Sequence, residues 1–180
     1  RVEVRGRGCA GRVGGEILVD GVVRATTVAA SRAALLAGLT PCGVRAARGM
    51  VLLDIIEGRT YRAGGVPNPA NLERLIDIVR RCHREVPRHL RGPAAMFWVF
   101  HVVRDYGHTL REGKSLHLSM LPDLLARADR LEAAVGPIEV VFGHNDLLAA
   151  NFIDDGQRLW LLDWEYAGFN SPPFDLGGLA

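Results

Sequence analysis

The feature that most constrains the fold of this chain is a set of three polar residues near its C-terminal end: Asp146, Asn151 and Asp163. Asp163 follows the apolar run Leu159-Trp160-Leu161-Leu162, which predicts a strand. A phosphoryl-transfer site needs one carboxylate to orient a hydroxyl and receive its proton. It also needs an amide oxygen and a second carboxylate to hold Mg²⁺ against phosphates. The order and spacing therefore predict a hairpin that carries such a site.

Composition is typical of a soluble globular protein, with 48% hydrophobic and 23% charged residues. The 180 residues suffice for one domain, or for a small lobe joined to part of a larger one. The net charge is +2 and the arginines are scattered, which argues against nucleic acid as the main partner. No apolar run approaches the ~18–20 residues of a membrane-spanning helix, so we expect no membrane span.

The cysteines Cys9, Cys42 and Cys82 lack CxxC spacing, and we expect free thiols in a reducing cytoplasm. The chain begins at Arg1 instead of Met and stops at Ala180 after an apolar segment. We therefore expect a piece of a longer protein, inactive in isolation, with an oligomeric state that the sequence leaves open.

The N-terminal stretch reads as strands. Val2 and Val4 alternate with charged residues, and Ile17–Val19 precede an Asp-Gly turn at 20–21. The Ala- and Leu-rich stretch at about 26–37 predicts a helix that ends at Gly38. The apolar run Met50–Ile56 predicts a buried strand.

Three helices should follow. Asn68 and Pro69 predict the start of the first, which runs to Pro87. The second is predicted over 94–110, buried in its first half. The third should end at Gly136 and carries an apolar stripe at helical spacing: Leu121, Leu124, Leu125, Ala128, Leu131 and Val135.

After residue 136 the period changes, and short strands are predicted at Ile138–Phe142 and Arg158–Leu162, with a turn at Asp155-Gly156. The chain therefore reads as an α+β protein. Residues 1–60 form a strand-rich part, and residues 61–180 form a mainly helical part that carries the catalytic hairpin.

This arrangement resembles the choline/ethanolamine kinase family, within the aminoglycoside phosphotransferase and protein-kinase-like superfamily. The segment from His144 to Leu176 carries the most specific resemblance, joined by 38–41 and 56–59. Asn145 and the Asp-Trp-Glu-Tyr at 163–166 are closer to the choline kinase branch. The resemblance implies a two-lobed kinase-like fold, with a partial β-rich N-lobe and the first part of a helical C-lobe.

The resemblance also implies roles in the C-lobe. Asp146 would be the catalytic base and contact the substrate hydroxyl, while Asn151 and Asp163 would hold Mg²⁺. His144 would brace the loop that bears the metal-binding Asp. Asp175 would accept hydrogen bonds from the catalytic-loop backbone and stiffen it.

Glu165 and Tyr166 follow the metal-binding Asp and are candidates for substrate binding. A carboxylate and an aromatic face would suit a cationic amine. A solvated Glu and a packed Tyr are an equal alternative.

For ATP, the resemblance implies that Arg12 contacts the phosphates and that the backbone at Asp54, Ile55 and Ile56 receives adenine. A surface Arg and an ordinary buried strand are the alternatives. The family pattern expects a Glu on the following helix, to pair with the basic residue. That position falls at Thr27, which cannot form the ion pair.

The function expected from these residues is Mg²⁺-ATP-dependent phosphorylation of a small-molecule alcohol, with choline or ethanolamine as the first candidates. One alternative is an aminoglycoside or other small-alcohol phosphotransferase. Another is a non-catalytic nucleotide-binding remnant of the same fold, which the Thr27 position would suit.

Overall fold

The computed structural model describes residues 2–4, 7–13, 24–41, 45–47, 50–62 and 68–179, with side chains in 25–41, 54–62 and 68–179. The strand predicted at Ile17–Val19 and its turn lie outside these ranges. Within them, no helix has both the length and the apolar character needed to cross a membrane.

The N-terminal pattern predicts strands, and the described residues there form a four-stranded antiparallel sheet, whose arrangement was not predicted. Its strands are ordered β1-β2-β4-β3: β1 (Val2–Val4), β2 (Arg7–Val13), β3 (Arg45–Ala47) and β4 (Met50–Asp54). The register places Arg12 opposite Val51 and Cys9 opposite Asp54. The strand predicted from Met50 is therefore confirmed as far as Asp54, where the chain leaves the sheet.

Helix α1 (Arg24–Leu36) confirms the predicted Ala-rich helix. It ends where Gly38 has a φ of 70°, a left-handed conformation that glycine adopts without a Cβ clash. Ala30, Ala33 and Ala34 are buried and belong to the main core. Their small side chains let this helix lie close to its neighbours.

Helix α2 (Pro69–Arg84) begins at the predicted residue. Asn68 Oδ1 accepts the N–H of Ala70 at 3.0 Å, which caps the helix. The short helix α3 (Val86–His89) follows and packs against α1. One face of α2 lies in the core: Leu75, Ile78, Val79 and Cys82. Cys82 is a free, buried thiol, as predicted.

The helix predicted from Ala94 begins later in the chain. Helix α4 spans Val99–Glu112, whereas Ala95–Met96 form strand β6 and pair in parallel with Gly168–Phe169. A Cβ on Gly168 would meet the Ala95 carbonyl oxygen at 2.5 Å, so glycine permits this pairing. The prediction was wrong over 94–98 because a distant strand overrides the local helical composition.

Helix α5 (Leu121–Val135) packs on α4 and, as predicted, ends before Gly136. Gly136 has a φ of 63°. Leu121 and Ala128 are buried. Three other members of its apolar stripe are exposed: Leu124 by 48%, Leu131 by 60% and Val135 by 48%. The stripe therefore predicted the helix correctly, but only part of it faces the core.

Short strands and one helix complete the described chain: β5 (Arg59–Thr60), β7 (Val141–Gly143), β8 (Phe152–Asp154), β9 (Leu159–Leu161), β10 (Gly168–Asn170) and α6 (Pro172–Leu179). β9 confirms the strand predicted at Arg158–Leu162, and the turn predicted at 155–156 is present, with Gly156 at a φ of 88°. The partner of β9 across this turn is β8, which was not predicted as a strand. β10 lies between β6 and β7, and β8 lies between β5 and β9. β5, which lies before the predicted division at residue 60, pairs with β8, which lies after it. The division into residues 1–60 and 61–180 remains a prediction.

Candidate active site

Asp146 and Asn151 are held together within one tight loop. The Asn151 side-chain amide donates to the Asp146 carbonyl at 2.8 Å and to its Oδ2 at 3.1 Å. Asn151 ends a 3-10 turn, Ala149–Asn151, that leads directly into β8. The amide group therefore orients the Asp146 carboxylate. Neither bond uses the Asn151 Oδ1 oxygen, the atom of this side chain that suits Mg²⁺.

The hairpin brings Asp163 beside this loop. The Leu162 N–H donates to the Asn151 carbonyl at 2.9 Å, so the residue before Asp163 is bonded to the other candidate metal ligand. Asp163 has a φ of 68°, in the left-handed region, where residues other than glycine are uncommon and are concentrated at functional sites. Asn151 and Asp163 therefore lie at adjacent ends of β8 and β9.

The residues present fit Mg²⁺. Asn151 and Asp163 offer hard oxygen atoms. Among the described residues, no group of three or more His, Cys, Asp and Glu side chains could hold a metal ion. Mg²⁺ is commonly bound through one or two protein groups, with waters and substrate phosphates completing its octahedron. An amide and a carboxylate are therefore a sufficient protein contribution.

His144 is completely buried beneath this site. Its Nε2–H donates to the Leu162 carbonyl at 2.9 Å, and its ring meets Trp164 edge-on at 4.8 Å between centroids. Burial lowers the pKa of His144, against the raising effect of the Asp175 carboxylate. The ring is therefore neutral near pH 7. This geometry supports the predicted bracing role, because the bond fixes the residue that precedes Asp163.

Asp175 lies under the same loop and is 2% exposed. Its carboxylate accepts the backbone N–H of His144 at 3.0 Å and that of Asn145 at 2.7 Å. These are the bonds that its predicted role requires. His83, on α2, contacts Asp175 Oδ2 through Nε2 at 2.9 Å. Sequence reasoning missed His83, since nothing local links it to a residue so distant in the chain.

Asn145 is the second residue whose contacts the sequence did not reveal. Its amide nitrogen donates to the carbonyls of Tyr166 at 2.9 Å and Gly168 at 3.3 Å. Its Oδ1 accepts from Asn170 Nδ2 at 3.2 Å. The sequence marks Asn145 only as typical of one family branch, whereas in the structure it links the loop at 144–151 to the turn after Asp163.

Glu165 and Tyr166 lie in that turn, and both are half-buried. Phe97 meets the Tyr166 ring edge-on at 6.4 Å and the Phe174 ring at 5.1 Å, between centroids. The two candidate substrate-binding residues are thus adjacent to a small aromatic cluster. Whether they bind a substrate remains a prediction.

The candidate nucleotide residues lie on the N-terminal sheet and at its exit. Asp54 ends β4, and Ile55 and Ile56 are half-buried in a segment without regular structure that leads to β5. The backbone of Arg12 lies on β2, while its side chain is outside the described part. Thr27 lies on α1, which reads RATTVAASRAALL and contains no acidic residue. No shift of register along α1 could therefore supply the expected Glu.

The sequence pattern of choline/ethanolamine kinases matches residues 51–179, which include the loop at 144–151 and the β8–β9 hairpin. The chain belongs to the choline/ethanolamine kinase family. Its relatives include the probable ethanolamine kinase of Arabidopsis thaliana, which is 50% identical over 40 residues, or 21% of this chain and 11% of that protein.

Two solved structures are similar along most of this family member. A choline/ethanolamine kinase family protein from Mesorhizobium loti has a TM-score of 0.73 and 29% identity, with 94% of this chain and 56% of that one covered. The choline kinase LicA from Streptococcus pneumoniae has a TM-score of 0.79 and 20% identity, with 98% and 62% covered. The predicted kinase-like α+β fold is confirmed. The chain spans about three fifths of these two structures' length, and much less of the plant relative.

Proposed function

We propose that the full-length protein containing this chain is an Mg²⁺-ATP-dependent kinase that phosphorylates the hydroxyl of a small amino alcohol, choline or ethanolamine. The observation that carries the proposal is the bonding of Asp146 to Asn151, with Leu162 bonded to the same asparagine. This arrangement brings together a carboxylate, an amide oxygen and the end of strand β9 that leads to Asp163, all within the segment that matches the family.

Each residue has a distinct task in the proposed reaction. Asp146 accepts the hydroxyl proton while the acceptor oxygen bonds to the γ-phosphorus and the bond from that phosphorus to the β–γ bridging oxygen breaks, which releases ADP. Asn151 and Asp163 would hold Mg²⁺, which supplies charge neutralisation at the phosphates when bound. Because Asn151 also orients Asp146, it couples the position of the base to that of the metal.

The proposed nucleotide site uses the N-terminal sheet. The irregular segment after Asp54 would offer its backbone at Ile55 and Ile56 to adenine, and Arg12 on β2 would contact phosphates. The chain is also similar to LicA solved in complex with AMP, at a TM-score of 0.75 and 22% identity. That complex supports a nucleotide as a ligand of this fold.

The proposed acceptor site lies at the turn after Asp163. Glu165 would offer a carboxylate to the amine, and Tyr166 would offer an aromatic face beside Phe97. Cations are attracted to both kinds of group, and the aromatic contribution is largest when the cation is desolvated. An aminoglycoside remains an alternative acceptor that the assay below distinguishes.

One observation favours a second candidate function, a nucleotide-binding protein without turnover. The α1 helix lacks any acidic residue that could pair with Arg12. Kinase-like sites use such a pair to place the phosphate-contacting side chain. If this pair is indispensable, the protein would bind ATP with Mg²⁺ and release no ADP.

The test is Mg²⁺-dependent ADP release by the full-length protein with choline, ethanolamine or an aminoglycoside. We expect turnover with choline or ethanolamine, and a fall of about 10³-fold in kcat for Asp146→Asn, because that variant lacks the proton acceptor. The exposed Asp123→Asn on α5 is the matched control and should retain full activity.

Three results would overturn the proposal. Turnover with the aminoglycoside alone would identify the other branch. ATP binding without ADP release would favour the non-catalytic candidate. Near-normal kcat in Asp146→Asn would remove the catalytic role of that residue.

A further inference from the structure

The structure points to Asn145 as a positioning residue that ties the acceptor-facing turn after Asp163, residues 164–168, to the loop at 144–151 and thereby sets the affinity for the acceptor. We propose this role from the contacts of its side chain. The inference deepens the proposed function, on which it rests, because it concerns how the same site holds its acceptor.

The backbone of Asn145 is fixed first. It has a φ of 65°, a conformation that Asn tolerates better than most residues. Its N–H donates to Asp175 Oδ1 at 2.7 Å. A Cβ on the neighbouring Gly143 would meet Asn145 Oδ1 at 2.7 Å, so the side chain lies closely packed against the loop. The side chain is therefore held in one position relative to the loop, and its bonds hold the turn at Tyr166 in place relative to the loop.

The side-chain bonds require an amide. Asn145 donates to the carbonyls of Tyr166 and Gly168 and accepts from Asn170, which is 1% exposed. A carboxylate of the same shape could not donate to the two carbonyls, and an apolar side chain could make none of these bonds. Asn145 therefore fits its place by its donors as well as by its size.

These bonds reach the acceptor side of the site and not the nucleotide side. The Tyr166 carbonyl belongs to the turn that carries the candidate acceptor residues, whereas Asp146 follows Asn145 directly in the loop. Asn145 thus joins the base that receives the proton to the surface that holds the molecule losing it. If the link is lost, the acceptor should bind less well while the nucleotide is held as before.

Asn145→Gly in the full-length protein isolates this role, since glycine adopts the left-handed backbone without strain and removes only the side chain. We expect the KM for the acceptor to rise about tenfold or more, because glycine removes all three side-chain hydrogen bonds of Asn145. The KM for MgATP and kcat should stay within about twofold. Asn68→Gly, an identical substitution at the distant, exposed cap of α2, should leave all three constants unchanged.

Amide hydrogen exchange gives a second measurement that needs no turnover. In Asn145→Gly, the Ala167 N–H bonded to Trp164 should exchange several-fold faster, because the turn has lost its anchor. The Leu161 N–H bonded to Leu39 is the internal control and should not change. Unchanged exchange at Ala167 would overturn the inference, as would equal losses in acceptor and MgATP affinity. If the wild-type protein releases no ADP but Asn145→Gly shows the predicted faster exchange at Ala167, the proposed function is refuted and the link made by Asn145 is not.

Discussion

The loop at 144–151, which carries the candidate base, and the α4–α5 helix pair are held together by opposite means. Around the loop, polar side chains are buried and bonded: His144, Asn170 and Asp175 are at most 2% exposed. Between α4 and α5, the polar contacts lie at the surface, where Arg104 bonds to Glu132 and Asp129. On α5, Leu124 and Leu131 are about half exposed to solvent.

This difference indicates where the stability of the protein depends on single hydrogen bonds. A buried polar group that loses its partner cannot turn to water, so each bond around the loop is costly to break. Surface ion pairs contribute only about 0.2–1 kcal/mol each. We therefore expect substitutions that break a buried bond around the loop to cost more stability than substitutions at the surface of the helix pair.

Asp175→Asn should produce the largest loss of stability. The new amide would keep one acceptor oxygen but would place an NH₂ group against a backbone N–H donor, and the contact of Asp175 with His83 would be altered. We expect a fall of about 3 kcal/mol in the free energy of unfolding, measured by urea denaturation at pH 7. Asp77→Asn, whose carboxylate is 57% exposed, is the control and should cost less than about 0.5 kcal/mol. A loss for Asp175→Asn as small as the control would show that the loop does not depend on this carboxylate.

Arg74→Met should come next, and its effect should depend on pH. Arg74 makes a bidentate bond to Asp154 at 2.5 and 2.8 Å, which anchors β8 on α2. Hydrogen bonding to Arg74, more than any other cause, lowers the pKa of Asp154. A lowered carboxylate pKa stabilises the fold above the unfolded-state pKa of about 3.9, and this stability disappears as the pH falls through the lower folded-state pKa.

The variant should therefore lose about 2 kcal/mol at pH 7, as the loss of hydrogen bonds to a charged group would cause. The gap to wild type should close as the pH falls from the unfolded-state pKa of about 3.9 through the lower folded-state pKa. Urea denaturation at a series of pH values measures both quantities. Arg88→Met breaks an exposed pair with Glu85 and serves as the control. A gap that persisted unchanged at low pH would mean that Arg74 acts through packing and not through its charge.

The same contrast explains how far the sequence could predict the structure. Local signals were sufficient for the cap at Asn68, the end of α1 at Gly38 and the turn at Gly156, because neighbouring residues determine them. Strand β6 was missed because its partner, β10, lies far along the chain.

The site divides in the same way. The order of Asp146, Asn151 and Asp163 predicted a site at one hairpin, and the structure brings these residues together. The supports at His83 and Asn145 were not predictable, since their partners lie 92 and 21 positions away. Polar contacts over such separations leave no periodic pattern in a single sequence.

Leu131→Ala on α5 should produce the smallest effect and is the sharpest test of the contrast. Leu131 is 60% exposed, whereas Leu75 on α2 is 2% exposed and lies in the core. We expect Leu131→Ala to change the free energy of unfolding by no more than about 0.5 kcal/mol. Leu75→Ala should cost about 2–5 kcal/mol through lost burial and the cavity left behind. Denaturation of the full-length protein compares the two, and a loss above about 2 kcal/mol for Leu131→Ala would show that the stripe on α5 is covered in the whole molecule.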